Sequence, residues 1–116
     1  MWALPGGFLN LDETLLDGAV RELEEETGIF DGLLGIQARL YFKKPIASQT
    51  FDDPHRSQRG RVITTAFLFQ LPDGPLYPVE GRDDAAAAKW VPLNEVRVEN
   101  LFDDHAAIIR TLIKQL

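Results

Sequence analysis

The chain contains no cysteine, which excludes disulfides, thiolate nucleophiles and cysteine metal sites. Histidine is nearly as scarce: only His55 and His105 occur, without metal-ligand spacing. No apolar run approaches the ~20 residues needed to cross a bilayer, so no membrane partner is expected. The opening Met1-Trp2-Ala3-Leu4-Pro5-Gly6-Gly7 lacks the basic stretch and apolar segment of a secretion signal. A cytoplasmic location fits these absences. Bases are also in short supply, 12 against 18 acids, for a net charge of −6. A field of that sign repels a phosphate backbone, and no basic recognition helix offsets it. No nucleic-acid partner is expected.

What is present suffices for one domain. With 116 residues, 45% of them hydrophobic, residues 1–116 read as a single folded unit with one core. There is no internal repeat, low-complexity tract or linker. Leu4 to Phe8 reads as a strand end entering a glycine loop. A helix is predicted from near Thr14, whose spacing to Asp17 fits a capping box, to Thr27, with Gly28 as the left-handed residue beyond. Residues 35–43 (GIQARLYFK) look like a strand, and 45–60 like a long polar loop. Residues 62–71 (VITTAFLFQL) make the best strand, closed by a turn at Pro72-Asp73-Gly74. Lys89-Trp90-Val91 is a short strand. Residues 103–115 form an amphipathic helix that buries Ile108, Ile109, Leu112 and Ile113. Strands and helices in this order predict a layered α/β (α+β) domain, a mixed sheet packed between helices.

The acids cluster. Asp12, Glu13, Asp17, Glu22, Glu24, Glu25 and Glu26 crowd around one base, Arg21. On a helix of roughly 100° per residue, Leu16, Ala19, Val20 and Leu23 form an apolar stripe. Glu22 and Glu26 then lie within about 40° of each other, and Glu25 is about 60° away. Like charges at such spacings disfavour the helix, and a bound divalent cation reverses the sign of that interaction. Hard carboxylate ligands suit Mg²⁺ or Mn²⁺. Arg21, four residues before Glu25, can orient the cluster. The alternative from the charge run alone is a solvated helix face.

From Gly7 the chain reads Gly7, five residues, Glu13, seven residues, then Arg21-Glu22-Leu23-Glu24-Glu25-Glu26-Thr27-Gly28-Ile29. This resembles the Nudix box, G-x5-E-x7-R-E-U-x-E-E-x-G-U, at every fixed position. Three further segments extend the likeness: Phe51 to Thr64 with its Asp-Pro-His-Arg loop, Gly81 to Leu93, and Asp104 to Ile109. Together they resemble the C-terminal Nudix domain of bifunctional nicotinamide mononucleotide adenylyltransferase/ADP-ribose pyrophosphatases. The resemblance implies a Nudix fold and metal-dependent hydrolysis of ADP-ribose to AMP and ribose 5-phosphate. It implies metal binding by Glu22, Glu25 and Glu26, a further ligand in the Gly7 carbonyl, Arg21 holding the glutamates, and Glu13 in support. The base inside or outside the box stays open, with Glu26 one candidate. The adenylyltransferase domain is absent, so that activity is not carried over. The family's first strand or strands, before Leu4, are also missing, so an N-terminal truncation is expected.

Arg56, Arg59 and Arg61 form a basic patch suited to substrate phosphates, against the alternative of pairing with Asp52 and Asp53. Phe8 is a candidate substrate-facing aromatic, with strand packing as the alternative. Trp90 belongs in the core or on an adenine ring. Asp83 and Asp84 cap a short turn or reach the site as a base or outer ligand. His105 caps or packs against the last helix. The expected partner is a small nucleotide, and an exposed sheet edge favours a homodimer. Two other functions compete: an ADP-ribose sensor without turnover, of the kind found in transcription regulators, and a hydrolase for a different nucleotide.

Overall fold

The computed structural model describes residues 1–57, 59–83 and 85–116; the side chains of Leu33 and Leu34 also lie outside the description. The chain divides into two compact units. One comprises Pro5–Ile46 and Phe69–Trp90, the other Met1–Leu4, Ala47–Leu68 and Val91–Leu116.

The first unit is built on helix α1, Leu15–Thr27, whose ends follow the sequence signals. The Thr14 hydroxyl accepts the Asp17 N–H at 3.1 Å, satisfying one orphan donor of the first turn. Gly28 has φ 62°, a left-handed conformation that suits glycine, and its N–H closes on the Glu24 carbonyl at 2.9 Å. Beyond it Ile29 and Phe30 dive into a core with Ala38 and Phe42. Val20 and Leu23 of the predicted stripe pack against that cluster, with Phe69, Leu71, Tyr77 and Val79. The Phe42 ring meets Phe30 edge-on at 5.1 Å and Phe69 at 4.7 Å, geometries that aromatic quadrupoles favour.

The strand expected over 35–43 is not formed. Helix α2, Gly32–Ala38, and a tight turn at Tyr41–Lys43 take its place. An alternating pattern requires Ile36, Ala38, Leu40 and Phe42 to share a buried face. Instead Ala38 and Phe42 are buried while Ile36 and Leu40 are 60% and 67% exposed. The operative period is four, not two. Leucine, glutamine, alanine and arginine, good helix formers, outnumber the one β-branched residue, Ile36.

In the second unit, strand β1, Ala47–Phe51, pairs antiparallel with β2, Thr64–Leu68, from Ala47 opposite Leu68 to Phe51 opposite Thr64. β1 lies inside the segment expected to be a loop. Its middle residues are polar and exposed, so no alternation announced it; the partner strand supplies its hydrogen bonds. Thr50 and Thr65 share a cross-strand hydroxyl hydrogen bond of 2.9 Å. Helix α3, His105–Ile113, packs on both strands and buries Ala106, Ile108 and Leu112. Trp2 makes an isolated parallel bridge to Leu101. The α+β class is as expected. Lys89–Val91 is not a strand; the Trp90 indole N–H donates instead to the Tyr77 carbonyl at 2.7 Å.

Candidate active site

Arg21 organises the acidic helix. Its Nε donates to Glu13 Oε2 at 3.0 Å, Nη1 to Glu22 at 2.7 Å and Glu25 at 3.1 Å, and Nη2 to Glu13 at 2.7 Å and the Phe8 carbonyl at 3.0 Å. A guanidinium has five N–H donors in a planar fork, and this one faces three carboxylates and a carbonyl. The hydrogen bond to Glu13, then that to Glu22, raises the Arg21 pKa further above its ordinary value. Arg21 in turn holds the Glu13 carboxyl below the usual range, with help from the Asn10 N–H at 2.7 Å. Through Glu13 and the Phe8 carbonyl, Arg21 ties the segment before the helix to the helix itself.

Glu26 faces a different environment. Partial burial, opposed by a long contact of 3.4 Å from the Gly6 N–H, pushes its pKa up to about 7, and the charges of Glu22 and Asp83 push the same way. A carboxyl crowded by other carboxylates favours either a proton or a cation. Gly7 lies against Glu22: a Cβ there would come 2.7 Å from the Glu22 carboxyl carbon and would displace that carboxylate. These hard oxygen donors suit a divalent ion in chemistry. Among the described residues, however, no three acidic or histidine side chains converge as a ready metal cage. Glu25 turns its Oε2 to Arg21, on the same Nη1 that holds Glu22, and is 43% exposed.

Two residues without an assigned role in the sequence are engaged here. Glu24, at the variable position of the motif, accepts the Phe30 N–H at 2.8 Å and fastens the helix end to the core. Arg82 pairs with Asp31 and Glu80. The motif left Glu24 unconstrained, and only the Glu-x-Arg spacing of residues 80–82 hinted at the second.

The arginine patch belongs to the other unit. Arg56 is engaged there: Nε and Nη2 fork onto both oxygens of Asp104 at 2.8 Å, and Nη1 reaches the Val62 carbonyl and Thr64 hydroxyl. Its side chain is only 8% exposed. The partner is Asp104, not Asp52 or Asp53. Arg59 and Arg61 are exposed, as is Phe8, whose carbonyl rather than its ring joins the Arg21 array. His105 opens α3 and accepts the Leu4 N–H at its Nδ1, 2.9 Å away. Asp83 has a φ of 55°, and Asp84 lies outside the described residues.

The profile of the NUDIX domain family matches residues 1–115. The chain belongs to the Nudix family. Nudix hydrolases use divalent metals, consistent with the donor chemistry at Glu22 and Glu26. Among its relatives, an ADP-ribose pyrophosphatase of Methanocaldococcus jannaschii is 33% identical over 97% of this chain and 57% of its own length. The crystal structure of a bifunctional NMN adenylyltransferase/ADP-ribose pyrophosphatase from Francisella tularensis superposes with a TM-score of 0.78 at 38% identity. That match covers 97% of this chain and 33% of the other. Another structure of such an enzyme from Francisella tularensis holds AMP and a manganese ion. A MutT/nudix family protein of Enterococcus faecalis aligns with a TM-score of 0.64 at 27% identity, over 93% of this chain and 46% of its own. This Nudix chain therefore spans little more than half of the curated relative and a third of the first structural one.

Proposed function

We propose that this Nudix domain hydrolyses a nucleoside diphosphate linked to a second moiety, with ADP-ribose as substrate and AMP and ribose 5-phosphate as products. The observation that carries the reading is the Arg21 fork, which sets Glu13, Glu22 and Glu25 around one cation beside the Glu26 carboxyl. The choice of ADP-ribose rests on the archaeal and Francisella relatives, which match over nearly the whole chain.

In this reading Glu22, Glu25 and Glu26 hold the metal, and the Gly7 carbonyl adds a neutral oxygen. A divalent ion held there, Mg²⁺ or Mn²⁺, would supply charge neutralisation for the diphosphate and a more acidic water. Arg21 keeps Glu13, Glu22 and Glu25 ordered around its guanidinium. In this reading Glu26 also accepts a proton from the attacking water. Exposed Arg59 and Arg61 carry guanidinium donors of the kind that bind phosphate oxygens, and the exposed Phe8 ring offers a flat apolar surface to the nucleotide. Arg56, its donors spent on Asp104, Thr64 and Val62, supports their loop.

The test is AMP release from ADP-ribose with Mg²⁺, beside a panel of other nucleoside diphosphate compounds. Metal-dependent release is expected, falling about 10²-fold or more in Glu26→Gln, the scale of losing a proton acceptor. Tight ADP-ribose binding without AMP release indicates a sensor, and faster cleavage of another compound reassigns the substrate.

A further inference from the structure

The last carbonyls of an α-helix have no partner within the helix, so whatever satisfies them decides how firmly that end is held. In α1 the end in question carries Glu25 and Glu26. The Arg82 N–H donates to the Glu26 carbonyl at 3.0 Å, and the Glu80 N–H to the Thr27 carbonyl, also at 3.0 Å. Residues 80–82 therefore run along the end of the helix as a strap. The Arg82 side chain returns across Gly28: a Cβ on that glycine would lie 2.4 Å from the guanidinium carbon. From there Nη2 reaches Asp31, past the helix end, and Glu80 Oε1 at 2.8 Å, within the strap. The Arg82 carbonyl is itself held by the Ala85 N–H at 2.9 Å.

We propose that Arg82 is a positioning residue that buckles segment 80–83 across the end of α1 and so fixes where the Glu26 and Asp83 carboxylates stand. Gly28 does more than end the helix: it clears the path for this guanidinium. Neither Asp31 nor Glu80 belongs to the glutamate array, so the buckle works through the backbone and not by contact with substrate. The kinetic and Mn²⁺ parts of the test rest on the metal-dependent hydrolase reading above; the exchange part does not.

The experiment compares Arg82→Ala, Arg82→Lys and the milder Asp31→Asn with the unaltered chain, each checked by circular dichroism. Amide hydrogen exchange at residues 80 and 82, and Mn²⁺ affinity from the ion's paramagnetic resonance signal, are measured without turnover. In Arg82→Ala both amides are expected to exchange at least about tenfold faster, and Mn²⁺ to bind about tenfold more weakly. With ADP-ribose, kcat falls about tenfold to a hundredfold, the scale of a small misplacement, while KM stays within about twofold. Lysine keeps the charge without the fork and recovers part of each loss. If Arg82→Ala does not fold, Asp31→Asn must show the same exchange and affinity changes, or the proposal falls. Unchanged exchange and Mn²⁺ affinity in a folded Arg82→Ala overturn it outright. An unaltered chain that binds Mn²⁺ but leaves ADP-ribose intact overturns the substrate reading and leaves this one standing.

Discussion

Glu22 and Glu26 sit four residues apart on one helix, but the structure treats them differently. Glu22 has Arg21 at 2.7 Å; Glu26 has a long contact to the Gly6 N–H and carboxylates on either side. The consequence can be measured in the metal-free protein. Burial, with repulsion from Glu22 and Asp83, raises the folded-state pKa of Glu26 from 4.5 to about 7. The folded chain therefore binds this proton more readily than the unfolded chain. Its contribution to stability is present below pH 4.5 and is lost as the pH rises through about 7. Glu26→Gln, which cannot ionise, is expected to melt at a higher temperature than the unaltered protein at pH 8 in a chelator. The gap closes as the pH falls toward 4.5. A melting temperature at pH 8 that is equal or lower in the variant would show that Glu26 is not crowded. The residue proposed to serve turnover is thus one whose charge costs the fold something, as expected where stability gives way to activity.

At the scale of elements, legibility followed local chemistry. α1 was readable to the residue because its start, stop and apolar stripe are all written in neighbouring positions: Thr14, Gly28, Val20 and Leu23. β1 was not, since Ser48, Gln49 and Thr50 become a strand only through pairing with β2. The 35–43 segment carried apolar residues compatible with either period, and the packing of Ala38 and Phe42 chose the helical one. The loop between β1 and β2 shows a similar dependence on distant residues. Arg56 and Asp104, at the start of α3, are separated by 48 positions, and Ser57 donates to Asp103 at 2.7 Å beside them. Asp104→Ala strands a nearly buried guanidinium and is expected to cost about 3 kcal/mol in urea unfolding. Arg56→Lys also destabilises, because an ammonium cannot span both carboxylate oxygens together with Thr64. Replacing the pair together, Arg56→Met with Asp104→Leu, recovers much of the loss. A double variant as unstable as Asp104→Ala would mean that the pair's geometry, rather than a stranded charge, holds the loop.

Across the whole molecule, the cluster of Arg21 with Glu22 and Glu25 was legible because all three lie on one helix, where periodicity sets them at neighbouring positions. Contacts at long range were not, and the joining of the two ends of the chain is the largest of them. Trp2 exchanges backbone hydrogen bonds with Asn100 and Phe102, and the Leu4 N–H donates to His105 Nδ1, 101 positions away. That last bond requires an unprotonated Nδ1. Burial lowers the His105 pKa from its ordinary 6.5; Asp104 and Asp103 oppose the shift and Arg56 adds to it. The folded chain binds this proton less readily than the unfolded one. Its stabilisation is therefore full above pH 6.5 and is lost as the pH falls through the lowered folded-state value. Urea unfolding followed from pH 7.5 down to 5 should show the loss. In His105→Asn, whose side-chain oxygen can take the Leu4 N–H without titrating, that loss should be absent, leaving the opposite contribution of Glu26. Equal acid sensitivity in both proteins would place the titrating group elsewhere. A steeper loss in the unaltered chain would identify His105 as the acid-sensitive link between the first residues and the last helix.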